Sequence, residues 1–568
     1  MHAWQRQSST LLGAVATVAF LLAGCGTNPG NQAQEGAQQK GQSGASQQQT
    51  PITGGQIDVD MSDDIHSIDP AIAEDILSDE FVQSMYDQLV TYKGTTNQIV
   101  GDAAKSWEVS PDGKTYTFHL QKGITFWNGD KLTADSYIAE LERILNKKIG
   151  SPGESLIDPI IAGSTAYHDG TASTIRGVSA PDPYTLKITL TKPEPFFLNI
   201  LAMHFFVGID PTWIQKVGDA DFGLNKPMGT GAFEMKSNNH NTVVLTKNPH
   251  YFQKDASGNQ LPYLNQITFT YNNNEQLEAM RFERGETALL GFNTRGIPAS
   301  SYQEFISNPN LKKDIITSSA GTIWYMGLNV QQKPFTNVKV RQAVEYAINK
   351  PFIVKLLDNQ GSVANQPTPP GVFGHVNDLP ANVNYTYNPT KAKQLLKASG
   401  VSLPLHVDFY CSNDAATLKI VNQIQSDLKA VGIDLNVHED SWATFLTLNA
   451  KGNQPSFLID WNQTYPDASD FLYTLLNSKE QPANNSTMYS NPRVDEWLNQ
   501  AETDTNQTQR ANLYQQVTVQ AMQDATLVPL YYGKYSYAVQ PWIHGYYINR
   551  NLEEDPFAHI WVDKTHQS

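Results

Sequence analysis

Apolar and polar positions alternate from Thr115 to Leu120, with Tyr116, Phe118 and Leu120 on one side and Thr115, Thr117 and His119 on the other. A period of two is that of a strand with one buried face. Asp112-Gly113 just ahead supplies a turn, because glycine accepts the positive φ that tight turns demand. Lys122-Gly123 turns the chain again, Ile124 and Phe126 open a second strand, and Asn128-Gly129 makes a further turn. Then the period lengthens. Thr133 is placed to cap a helix whose apolar side is Ile138, Leu141, Ile144 and Leu145. The segment from Ser106 to Arg143 is expected to run strand, strand, helix.

Two more helices are bracketed by their own end signals. Asn337 can cap a helix over 338–349, with Val340, Val344, Ala347 and Ile348 facing a core, and Pro351 ends it while starting another. Asn388 as cap, Pro389 in the first turn and Gly400 just past the end enclose a third. Gly229-Thr230-Gly231 lacks the lysine and following Ser/Thr of a phosphate-binding loop. It is expected to be a tight turn between lobes that uses glycine's backbone freedom.

The first 53 residues follow a different pattern. Arg6 precedes an apolar run from Leu11 to Leu22, and Leu22-Ala23-Gly24-Cys25 follows. That is a signal peptide over 1–24, too short an apolar run to be kept as a spanning helix. Leu-Ala-Gly-Cys resembles the bacterial lipobox, which implies that Cys25 is diacylated and becomes the mature N-terminus. Two acyl chains are what stable anchoring requires. Residues 25–53 hold that cysteine and a Gly/Gln/Ser-rich stretch that cannot bury enough surface to fold. As a flexible linker it has a reach of roughly 30 Å.

Residues 54–568 are too many for a single core, so two or three lobes are expected. A formal charge of −16 argues against nucleic acid and against adhesion to anionic lipid. With only two cysteines, and Cys25 lipidated, Cys411 is left unpaired as an inert small residue, and no disulfide framework exists. Gly-x-Ser-x-Gly, His-Glu-x-x-His and Cys-x-x-Cys are all missing, and the 13 histidines are scattered. No catalytic residue, metal site or cofactor is assigned.

One stretch, SWEVSPDGKTYTFHLQKGITFWNGDKLTAD over Ser106–Asp135, resembles the signature region of the extracellular solute-binding proteins of the oligopeptide, dipeptide and nickel type, family 5. The similarity continues through Ser67-Ile68-Asp69-Pro70, Pro227–Phe233, Lys247–Phe252, Val340-Arg341-Gln342-Ala343, Asn388–Gly400 and Val528–Tyr532. It implies an α/β fold of the periplasmic-binding-protein type II kind, bilobal with a third, inserted domain. Lobe I would comprise 54–88, 223–322 and 531–568, the inserted domain 89–222, and lobe III 323–530. It further implies an ABC-transporter substrate-binding protein, outside the cytoplasm and monomeric. Such a protein captures peptides in an interlobe cleft by hinge closure and hands them to a permease with its ATPase subunits.

The departure from the family pattern lies at Trp461–Leu472, WNQTYPDASDFL. Relatives place an aspartate at the position of Thr464, where it pairs with a peptide's α-ammonium. A hydroxyl cannot neutralise a buried ammonium. Either Asp467, Glu74 or Asp470 substitutes, or the ligand has no free amine there. The resemblance thus implies Trp461, Thr464, Asp467, Glu74 and Tyr531 as ligand-binding residues. A binding protein for another solute such as an oligosaccharide, gripped by aromatic platforms, and a ligand-sensing lipoprotein of the same fold remain alternatives.

Overall fold

The computed structural model describes residues 50–292, 296–549 and 557–566. The signal segment, Cys25 and the linker up to residue 49 lie outside the described residues. Three sheets organise the rest. A mixed four-stranded sheet runs in the order Gln56–Met61, Gln266–Tyr271, Thr242–Lys247, Phe233–Asn238. Its first pair is parallel and the others antiparallel. After the helix Ile76–Met85 the chain departs to build an antiparallel sheet, Ala104–Val109, Thr115–Leu120, Thr185–Thr189, Val178–Asp182, before returning to Phe233–Asn238. One continuous core joins these two units, from Val59 and Phe269 to Phe118 and Leu186.

The third sheet is the largest, and helices cover both of its faces. Its order is Leu289–Leu290, Leu527–Val539, Ile315–Leu328, Ser456–Asn462, Leu405–Ser412, Ile433–Asp440. Met326, Val528 and Phe409 pack against the helices Val338–Ala347 and Ala415–Lys429. Ile323, Tyr325 and Phe457 face the helices Ala468–Leu476, Pro492–Ala501 and Gln507–Asp524. The two longest strands, Ile315–Leu328 and Leu527–Val539, connect the bodies. Their lower halves pair near Leu289–Leu290, and their upper halves lie beside Ser456–Asn462. Between Ser319 and Ile323 the register slips, and Gly321 there takes φ +64°. Glycine tolerates that conformation without strain. The result is a mixed α/β, bilobal type II-like architecture with strands crossing between lobes.

Most local expectations hold. Thr133 caps Ala134–Ile144, with its N–H donating to Ser136 Oγ at 3.4 Å. Asn337 caps Val338–Ala347, Asn349 caps Lys350–Leu356 with Pro351 in its first turn, and Asn388 with Gly400 brackets Pro389–Ser399. Two expectations are corrected. Ile124 and Phe126 are buried but form no strand, only a bridge between Thr125 and Lys131. The Phe126 N–H turns to Asp130 O and the Leu132 N–H to Ile124 O, which folds the segment into a loop. The helix after it buries Tyr137, Glu140, Leu141 and Ile144, while Ile138 is only half-buried. The face is rotated because Glu140 meets Arg143 and Asp69 in a buried charge cluster.

Gly229 and Gly231 are also explained differently from the expectation. Neither lies in the positive-φ region. A Cβ on either would fall on the Met85 backbone, so the glycines are needed for close approach. Cys411 is fully buried, and burial pushes its thiol up to about 12, which keeps it inert.

Candidate functional site

The strand Ser456–Asn462 pairs along its whole length with Thr322–Leu328 on one side. On the other side Leu405–Ser412 reaches it only at Ser456 and Phe457. From Leu458 to Asn462 that second edge has no strand neighbour among the described residues. Half of its backbone donors and acceptors therefore face outward, as on any unpaired edge. Trp461 stands on this segment.

Cross-strand partners share a sheet face. Ile323 pairs with Trp461 and with Tyr532, whereas Trp324 pairs with Asp460 and with Tyr531. Trp461 and Tyr531 consequently point to opposite faces, and the structure does not bring these two candidates together. Tyr531 is 6% exposed and stacks on Trp324 at 5.9 Å and 6°. The two rings line a cavity of about 340 Å³ with Thr322, Asp460, Asn462 and Lys419. Within it Thr322 Oγ1 donates to Asn462 Oδ1 at 2.6 Å, and Asn462 Nδ2 donates to Asp460 Oδ2 at 3.0 Å.

Beyond Trp461 the chain turns through Thr464 into the helix Ala468–Leu476. Asp467 caps this helix, accepting from the Ser469 N–H at 3.0 Å. Both its oxygens lie 2.8 Å from Arg510 Nη2, and Tyr514 Oη donates to Oδ1 at 2.9 Å. Asp467 is 3% exposed and committed to that arginine. Its charge serves the fold and is not offered to a ligand.

Asp470 differs. Rising from the first turn of the same helix, it accepts the Thr464 backbone N–H at 2.7 Å. The indole Nε1 of Trp461 is buried and faces the same carboxylate without closing a hydrogen bond. No described salt bridge reaches Asp470, and burial pushes its pKa up to about 7 despite the hydrogen bonds it accepts. A carboxylate from six residues further on thus sits against the backbone of position 464.

Glu74, the remaining candidate, is exposed on the first lobe, next to Asp75, which caps Ile76–Met85. Sequence reasoning missed the Arg510–Asp467 pair, which joins residues 43 apart and has no local signature. It also missed a contact between the antiparallel unit and this loop, where Phe196 stacks on Tyr465 at 4.9 Å and 14°. No cluster of three or more His, Cys, Asp or Glu is placed to hold a metal among the described residues. Among them, no helix is long and apolar enough to cross a membrane.

Comparison with known proteins bears on the family and the fold. OppA, the periplasmic oligopeptide-binding protein of Salmonella typhimurium, is 26% identical over 514 residues, spanning 88% of this chain and 90% of its own. Heme-binding protein A of Haemophilus influenzae is 25% identical over 498 residues, 85% of this chain and 87% of its own. The unliganded open form of the periplasmic murein tripeptide-binding protein MppA has the same fold, with a TM-score of 0.79 at 24% identity. That match covers 90% of this chain and 99% of the other. Residues 98–483 match the bacterial extracellular solute-binding proteins, family 5 (middle part), and the chain belongs to that family.

Proposed function

We infer that this protein is the substrate-binding component of an ABC transporter that captures short peptides and delivers them to a membrane permease. The observation that carries the peptide reading is the open edge Leu458–Asn462 beside Trp461, with the buried carboxylate of Asp470 at its end. An extended peptide can add to such an edge through main-chain hydrogen bonds, while its side chains alternate between the two faces. One face offers Trp461 and the other the cavity at Trp324 and Tyr531. Asp470 gives the peptide's ammonium a charge-assisted partner in a site where an unpaired ion would be costly.

The lobes on this reading are 54–88 with 223–322 and 531–568, the inserted domain 89–222, and 323–530. The boundaries at 322 and 530 then cut the two connecting strands beside the register slip at Ser319–Ile323, where a hinge needs freedom. OppA is named for oligopeptides and heme-binding protein A for heme, so the family's cleft accepts more than one chemistry. Native mass spectrometry of protein purified without refolding tests the assignment. Retained peptides, released on unfolding, are expected; a retained porphyrin or sugar with no peptide would sink the reading.

Cys25 is proposed as the lipidated residue that tethers the protein to the outer face of a membrane. Cys25→Ser is expected to release the protein into the soluble fraction. A processed variant that stays with membranes would count against the anchor.

A further inference from the structure

We propose that the junction between the antiparallel unit and the first lobe is a pH-sensitive joint, latched by a proton on the buried carboxyl of Glu140 and easier to open once that proton has gone to solvent. The joint is independent of what the cleft binds.

Among the described residues, Arg143 is the one cation in this junction, and three carboxyls share it. Its Nη1 and Nη2 donate to Asp69 of the first lobe at 2.9 and 2.6 Å. Nη1 also donates to Glu140 Oε2 at 3.0 Å, and Nη2 to Asp219 Oδ1 at 3.1 Å. Asp219 is 57% exposed, but Asp69 and Glu140 are both buried. One guanidinium can match only one buried carboxylate charge for charge. Asp69 takes both terminal nitrogens in the bidentate geometry that favours an ion. Glu140 keeps a single contact, and its Oε1 is buried with no hydrogen-bond partner. An orphaned oxygen costs a neutral acid little and an ion a great deal.

The surroundings give an ionised Glu140 no relief. With Leu89, Leu141, Leu201, Val207 and Tyr137 it lines a cavity of about 10 Å³, room for one water at most. The Tyr137 hydroxyl already donates to Asp87 O at 3.2 Å. Tyr86, at the end of the first-lobe helix, faces the same charges, and burial pushes its phenol well up, so it stays neutral. His204, on the segment that brings Val207, is bonded instead to Ala73 O at 2.9 Å, and burial holds it down to about 4. Burial, with Asp69 and Asp219 working against Arg143, pushes the Glu140 carboxyl up to about 8.

The cluster sits where the chain returns from the antiparallel unit to the first lobe. There the Ile68 N–H donates to Gly223 O at 2.7 Å, and Arg143 lies over the Phe222 ring at 5.5 Å. Asp69 Oδ1 also accepts the Ala71 N–H at 3.0 Å, so the loop ahead of Ile76–Met85 hangs on the same residue. Opening the junction hands Glu140 to water, where carboxyls titrate near 4. Between about pH 4 and 8 the opened form then holds one proton fewer than the closed form. Opening therefore becomes easier as pH rises through that window and levels off above it.

The test follows amide exchange of the ligand-free full chain, with the intrinsic rate divided out, in the helix Ala134–Ile144 and in 67–73. From pH 6.5 to 7.5 wild type should lose protection there close to tenfold, the linkage of one proton, and Glu140→Gln should lose almost none. Asp219→Asn removes an exposed negative charge from the cluster, so its loss should level off at a lower pH than in wild type. The helix Ala415–Lys429, in the other body, should respond alike in wild type and Glu140→Gln. Flat protection in wild type, or the same tenfold loss in Glu140→Gln, would overturn the joint. A loss of equal size in Ala415–Lys429 would mean that the whole molecule opens at once, and would overturn it too. Should Glu140→Gln fail to fold, Asp219→Asn decides alone, and an unshifted levelling-off would overturn the proposal.

Discussion

Arg510 and Asp467 form a buried pair in which one guanidinium nitrogen lies 2.8 Å from both carboxylate oxygens, with the arginine side chain 1% and the aspartate 4% exposed. The pair ties the helix Gln507–Asp524 to the cap of Ala468–Leu476, and hence to the residues around Trp461. Removing one member strands a charge in an apolar interior. Arg510→Met is expected to lower stability by about 3–5 kcal/mol, read by urea unfolding, and Arg510→Met with Asp467→Leu to recover much of that. A loss under about 1 kcal/mol for the single variant would show that water reaches Asp467.

The second prediction concerns the ammonium partner. For a peptide that binds wild type, Asp470→Asn should weaken the free-amine form tenfold or more, on the order of 1.5–3 kcal/mol, by calorimetry. It should leave the N-acetylated form almost unchanged. Thr464→Asp should give no gain, because its carboxylate would stand beside Asp470 and the two would share one site. Tighter free-peptide binding by Thr464→Asp would mean that Asp470 does not face the ligand.

What could be read from the sequence was what depends on near neighbours. Caps at Thr133, Asn337 and Asn388, and the αL end at Gly400, involve partners within a few residues and appeared where expected. The Ile124–Phe126 strand failed because its apolar residues are buried by the fold around them and not by a ladder. Trp461 and Tyr531, both given as ligand-binding residues, lie on opposite faces for a related reason. Both belong to strands beside Ile315–Leu328, but the pairing register that separates their faces is set by the assembled sheet. Asp470 was one of the three acids named as substitutes at position 464, and a carboxylate in the first turn of a helix can return to the loop before it. Nothing in the sequence near Asp467 announces Arg510.

Four buried carboxyl groups contribute to the pH dependence. Burial pushes Asp87, Asp470 and Glu278 up to about 7 and Glu140 to about 8. Each holds its proton more tightly folded than unfolded, where carboxyls titrate near 4. Between about pH 4 and 7–8 the native state thus binds more protons, so these groups make stability fall as pH rises through that window. Below pH 4 and above 8 their effect is flat. Below about pH 6.5 the buried His204, held down to about 4 by burial, adds the opposite slope, so melting temperature should decline between about pH 6.5 and 8, and Asp470→Asn should make that decline shallower. An unchanged decline in that variant would show that Asp470 is ionised throughout that range.

The last prediction separates two reasons for glycine. Gly258 has φ +87° and nothing within 4 Å of an added Cβ, so alanine there meets only backbone strain, about 1–2 kcal/mol. Gly231 has an ordinary φ, but its Cβ would fall on the carbonyl carbon of Met85, and its N–H donates to Met85 O at 2.9 Å. Gly229 is pressed against the same carbonyl, while its own O accepts from the Trp127 N–H at 3.2 Å. These contacts fasten the start of the strand Phe233–Asn238 to the end of the helix Ile76–Met85 and to the inserted unit. Backbone cannot step aside as a flexible side chain would. Gly231→Ala should therefore cost about 3 kcal/mol or more, with the excess over Gly258→Ala reporting overpacking. Because the strain sits where the inserted unit joins the first lobe, hydrogen exchange in Gly231→Ala should rise first around Trp127 and Met85. Equal costs for the two variants would mean that the turn can shift away from Met85 freely.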